Sequence, residues 1–96
     1  MNFKTYLLEH TPEVPDGPPR DDLGGEYTTE DAIRDLRWAI RYPDNYGEFP
    51  TEDDWYLIER HLRSSRGRKQ GEFATEEVRD RILLVYITYR EWRNAK

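Results

Sequence analysis

Hydrophobic residues along the chain fall mostly at helical spacing. Phe3, Tyr6 and Leu7 recur three and four residues apart and predict a first helix over about residues 2–10. Thr28 with Asp31, or Thr29 one residue later, has the form of a helix N-cap followed by acids in the first turn. The helix it opens runs to about Tyr42, because Pro43 disfavours helical geometry in the residue before it. Its inward stripe is Ala32, Ile33, Leu36, Ala39 and Ile40, which leaves Trp38 and Tyr42 as an i, i+4 pair on the opposite side. That pair is either covered by another segment, the Pro-rich loop among the choices, or forms an exposed patch.

Residues 43–47 carry turn chemistry, and Phe49-Pro50 leads into the next cap. Thr51 with Asp54 reads as a capping-box-like pair opening a helix over about 52–65 that buries Trp55, Ile58 and Leu62. Thr75 with Glu76 and Glu77 opens the last helix, about 76–94, with Val78, Ile82, Val85, Tyr89 and Trp92 inward. Residues 82–87 are apolar almost all round, so this helix is either central or carries a second interface. The β-branched residues there would also suit a strand, but the flanks 76–81 and 89–96 argue for helix.

The expected architecture is therefore all-α: residues 1–96 form one compact bundle of four to five short helices. A Pro/Gly-rich loop spans 11–27 and a basic loop spans 63–74. A length of 96 residues, of which 35% are hydrophobic and 36% charged, allows only a modest core. The 3 Trp, 7 Tyr and 3 Phe supply much of it. The absence of cysteine excludes disulfides, thiolate metal sites and thiol catalysis. The first residues break into polar sequence too early for a signal segment, and no apolar run is long enough for a membrane span. A cytoplasmic protein that engages no membrane is expected.

The net charge of −5 conceals a split along the chain. Residues 1–59 hold 15 acids against 5 bases, and residues 60–96 hold 5 acids against 10 bases. Such polarity can steer a charged partner to one face. Within the basic part, Arg63, Arg66, Arg68 and Lys69 are candidate phosphate contacts, although the acidic total opposes a nucleic-acid partner. Conversely, Glu26, Glu30, Asp31, Asp35, Glu48, Glu52, Asp53 and Asp54 could line one surface that mimics nucleic-acid phosphates. His10 and His61 lack the spacing of a zinc site, and no nucleophile elbow or phosphate-binding glycine loop occurs. These absences argue against an enzyme, and no cofactor or metal is expected. The aromatic connection Tyr42, Tyr46, Phe49, Trp55 and Tyr56 divides between core and interface roles.

The order of short motifs resembles the YozE-like family of small bacterial proteins with a sterile-alpha-motif (SAM)-like helical fold. The matching residues are Phe3-x-x-Tyr6-Leu7, Asp22-Leu23, Asp44 with Phe49-Pro50, Ile58-x-x-x-Leu62 and Glu91-Trp92. The resemblance implies a compact SAM-like bundle of four or five helices. Folds of that kind commonly serve as interaction modules, an analogy at the level of fold.

The expectation for function is a non-enzymatic module that binds a protein partner through Trp38, Tyr42 and Tyr46, with Asp53 and Asp54 on the acidic side. The alternative is a phage- or plasmid-encoded acidic inhibitor that presents a nucleic-acid mimic to a host restriction or CRISPR-type defence enzyme.

Overall fold

The helices that open at Phe3, Thr29 and Trp55 start where a side chain satisfies a first free amide. A computed structural model describes residues 1–18, 26–64 and 76–95, with only the backbone of Ser64. Among these residues the chain forms five helices and no strand: α1 (Phe3–Glu9), α2 (Thr29–Arg41), α3 (Pro43–Tyr46), α4 (Trp55–Ser64) and α5 (Glu76–Asn94). Asn2 caps α1 by accepting the Thr5 amide at 2.8 Å. Thr28 and Asp31 close a reciprocal capping box on α2, with bonds of 3.1 and 2.9 Å.

Two local expectations need correction. The 43–47 turn tightens into the single-turn helix α3, since Pro43 is pre-set for a first helical position and Gly47, at φ 82°, ends it. The Thr51–Asp54 pair does not open α4 at residue 52. Asp54 is the cap, accepting the Tyr56 amide at 2.9 Å, so the helix starts at Trp55.

Helix α2 is the hub, packing against α1, α3 and α5, while α5 also meets α1 and α4. The expected inward residues Ala32, Ile33, Leu36, Ala39 and Ile40 are all buried. So are Asp31, Asp35 and Arg37, which places cover on a second side of the helix. Tyr27 donates its hydroxyl to Asp35 at 2.8 Å, and burial followed by the Asp35 charge pushes the Tyr27 phenol far up.

The segment after α1 lies over α2 and is held there by Arg37, which is only 4% exposed. Nη1 donates to the Thr11 carbonyl at 2.6 Å and to the Thr11 hydroxyl at 2.9 Å, and Nη2 donates to the Val14 carbonyl. Asp16 then bridges Arg37 at 3.2 Å and Arg41 at 2.8 Å. The Arg41 hydrogen bond chiefly holds the Asp16 carboxyl below its ordinary value, against a smaller desolvation, and Arg37 adds to it. Thr11 and Val14 are buried beneath this strap. The described part of the 11–27 loop is thus a packed wrap; residues 19–25 lie outside the described residues.

An aromatic array fills the other side of the core. Phe3 meets Tyr86 edge-on at 5.2 Å and Tyr89 at 5.5 Å, and Tyr6 lies 5.1 Å from both Tyr89 and Trp92. Val78, Ile82, Val85 and Tyr89 of α5 are buried, as their spacing requires, and Trp92 is half-buried against them. The radius of gyration of 12.6 Å is close to the roughly 13 Å of a well-packed domain of about 100 residues.

Arg37→Met keeps the aliphatic stem and removes every donor, stranding the buried Thr11 and Val14 carbonyls. The expected loss is about 3 kcal/mol of unfolding free energy, read from urea denaturation followed by circular dichroism. A loss below about 0.5 kcal/mol, the range of an ordinary surface change, would show that Arg37 does not hold the strap.

Candidate functional site

The two aromatics assigned to the back of α2 form a built corner at its C-terminal end. Trp38 is half-buried and packs against the core, and Tyr42 leans on it with ring centroids 4.5 Å apart and the planes tilted by 40°. Tyr42 remains 43% exposed. Its backbone is fixed from both sides, because it ends α2 and its carbonyl accepts the Asn45 and Tyr46 amides at 3.0 and 3.1 Å. Tyr46 is 7% exposed, so the expectation that it contacts a partner is corrected. It anchors α3 in the core and thereby holds the turn that presents Tyr42. Beside the corner, the Arg41 charge is matched by Asp16, whereas Asp44 stands exposed in the first turn of α3.

Asp53 also has a different role from the expected one. Its side chain is 13% exposed and works as an internal clasp. Oδ1 accepts the Phe3 amide at 2.9 Å, and Oδ2 accepts the Tyr89 hydroxyl and Arg93 Nη1, the latter at 2.7 Å. One carboxylate thus ties the start of α1 and the end of α5 to the turn before α4. Both of its oxygens are thereby engaged within the fold. Asp54 is exposed, with its carboxylate engaged in capping α4.

The proposed acidic surface is reduced in the same way. Asp31 and Asp35 are buried, and Glu26 pairs with Arg81 at 2.7 Å across the open cleft lined by Thr28, Thr29 and Glu30. Glu30, Glu48 and Glu52 remain exposed. Of the candidate phosphate contacts, Arg63 lies on α4 rather than in a loop and pairs with Glu59 at 2.6 Å. Arg66, Arg68 and Lys69 lie outside the described residues, as does the rest of the 63–74 loop beyond α4.

His10 packs against Trp92 at 4.8 Å and His61 edge-on against Phe49 at 5.4 Å, both as aromatic neighbours. Among the described residues no group of three or more His, Asp or Glu side chains converges on a metal position. Nor is any helix there long and apolar enough to cross a membrane.

Arg37 and the Asp53 clasp are the polar groups that sequence reasoning missed. Arg37 had a signal, since it sits between Leu36 and Ala39 on the helix that follows an acceptor-rich Pro segment. Asp53 had none, because its partners are 50, 36 and 40 residues away.

These features define a small all-α bundle with a preformed aromatic corner. Compared with known proteins, the chain matches no family model, no curated protein and no solved structure.

Burial, then hydrogen bonding to Asp53 and its charge, push the Tyr89 phenol up to about 12 from its ordinary 10.0. A raised phenol contributes stability that is complete below the unfolded value and is lost as pH rises through the folded value. Burial raises Tyr6 and Tyr27 in the same direction. Urea unfolding is therefore expected to show stability falling between pH 10 and about 12. Asp53→Asn should shallow that fall by removing the neighbouring charge. An identical slope in the variant would separate Tyr89 from Asp53.

Proposed function

We propose that this chain is a non-enzymatic, cytoplasmic interaction module that binds a protein partner through the Trp38–Tyr42 corner. The observation that carries the reading is a large aromatic left 43% exposed although its ring is packed on Trp38 and its backbone pinned. Ordering Tyr42 is already done in the free protein, so a partner gains contact area without the entropic cost of fixing the side chain. Aromatics held in this manner are the common energetic centres of protein interfaces. The exposed Asp44 beside it favours a partner that surrounds its aromatic-binding hollow with basic residues.

The resemblance to YozE-like proteins is compatible with this proposal and does not carry it. Of the residues that bear the resemblance, Phe3, Tyr6, Leu7, Phe49, Ile58 and Leu62 are buried here, Pro50 and Trp92 are half-buried, and Asp44 and Glu91 are exposed. The buried positions specify a small aromatic-rich bundle rather than a contact surface, and Asp22-Leu23 lies outside the described residues.

The acidic-mimic alternative draws on Glu30, Glu48 and Glu52, since Asp31, Asp35 and Asp53 are committed to the interior. Reversing Asp53 would disturb the fold whichever reading holds, so Glu48→Arg with Glu52→Arg is the informative pair.

Tyr42→Ala is expected to cost under about 1 kcal/mol of stability, the worth of one aromatic pair. It should weaken partner capture from a lysate of the source cells by about 30-fold, the effect of losing one hot-spot side chain. Quantitative mass spectrometry of tagged wild-type and variant pull-downs reads both arms. Undiminished capture by Tyr42→Ala would overturn the proposal. Salt-sensitive capture lost only in the Glu48/Glu52 double variant would replace it with the acidic mimic.

A further inference from the structure

Helix α5 carries a second seam, on the side away from the core. Glu77, Asp80, Leu84, Ile87 and Glu91 follow one another at spacings of three and four, and every one is exposed. At its centre Leu84 and Ile87 are 46% and 42% exposed, one turn apart, on the longest helix of the bundle. The largely apolar stretch 82–87 therefore serves two faces, one buried and one bare. Acids frame the bare pair at both ends. The bordering cations are turned elsewhere: Arg81 to Glu26 at 2.7 Å, and Arg90 to the Tyr86 hydroxyl at 3.1 Å. Among the described residues, no cation forms an ion pair with Glu77, Asp80 or Glu91.

We propose that this face docks an amphipathic helix of a partner protein, one with two adjacent apolar positions and a basic residue a turn beyond each. Charge decides between this occupant and a second copy of the chain. Two α5 helices packed antiparallel, with Leu84 against Ile87, set Asp80 directly against Glu91 of the other copy. Packed parallel in register, each acid meets its own counterpart. Both arrangements oppose like charges beside the apolar contact, a penalty that falls on self-pairing and not on a basic partner. An anionic lipid surface is repelled on the same ground. A helix bearing arginines at the matching positions turns both repulsions into ion pairs beside a desolvated Leu–Ile centre.

The test uses the full 96-residue chain, nitrogen-15-labelled. Two stapled helical peptides serve as probes, each with two leucines one turn apart, framed by arginines in one and by glutamates in the other. The expected result is amide shift changes confined to residues 80–91, with about tenfold tighter binding of the arginine peptide. Asp80→Arg with Glu91→Arg should invert that preference while leaving the leucine contacts in place. Leu84→Asp should remove binding of both peptides, and Tyr42→Ala should leave it unchanged. Equal binding of the two peptides, no binding, or shifts that map to other elements would each overturn the proposal. Shifts at 80–91 that grow with protein concentration in the absence of peptide would overturn it in favour of a second copy.

Discussion

A guanidinium buried between α2 and the segment after α1 constrains nearly everything around it. Arg37 cannot shed its charge, so its presence inside demands acceptors on every side it shows. The segment after α1 meets that demand at both Nη atoms because of its composition, while the buried Nε finds no acceptor among the described residues. Prolines remove backbone donors and leave carbonyls, and a guanidinium is a donor and never an acceptor. Thr11 and Val14 supply carbonyls, and Asp16 supplies the counter-charge. With the strap so placed, α2 is covered on the strap side as well as on the side facing α5. Its C-terminal end, where Trp38 and Tyr42 stand, remains outside the cover.

Asp53 performs the matching task at the other pole. It joins residues far apart in the chain, closing the ends of α1 and α5 over the aromatic array. Most of the described arginines are likewise turned to acids within the fold: Arg34 to Asp31, Arg63 to Glu59, Arg81 to Glu26. The charge split along the sequence is thereby partly cancelled by folding. Among the described residues, the large hydrophobic side chains that face outward are Met1, Leu8, Tyr42, Tyr56, Leu84 and Ile87, set among exposed acids and arginines. A surface of this composition is suited to docking onto protein, with aromatics supplying contact area and acids selecting among partners.

Helices α1, α2, α4 and α5 are legible because each buries a stripe at helical spacing, and Thr28–Asp31 announces its box in the sequence itself, whereas the single turn of α3 has no such stripe. The α4 start was misread because Thr51 and Asp54 satisfy the spacing rule, while Asp54 alone makes the cap bond. The Trp38–Tyr42 pair was visible as a contradiction, two aromatics off the apolar face of an otherwise regular helix. Whether Tyr46 joined them was not legible, since a short turn and a single-turn helix share the same residues and send that side chain in different directions. The Asp53 clasp was hidden for a simpler reason. Long-range pairing leaves no local pattern, and an acid preceding a helix is most economically read as its cap.

The central claim is that Arg37 is buried and held by its acceptors in the free protein. Nitrogen-15 spectra of the arginine side chains test it directly, with Arg63, whose side chain is 56% exposed, as the internal reference. Held as described, Arg37 should show separate, slowly exchanging Nη protons and hindered rotation about its Nε–Cζ bond, while Arg63 averages with solvent. An Arg37 guanidinium that exchanges and rotates as freely as that of Arg63 would contradict the claim.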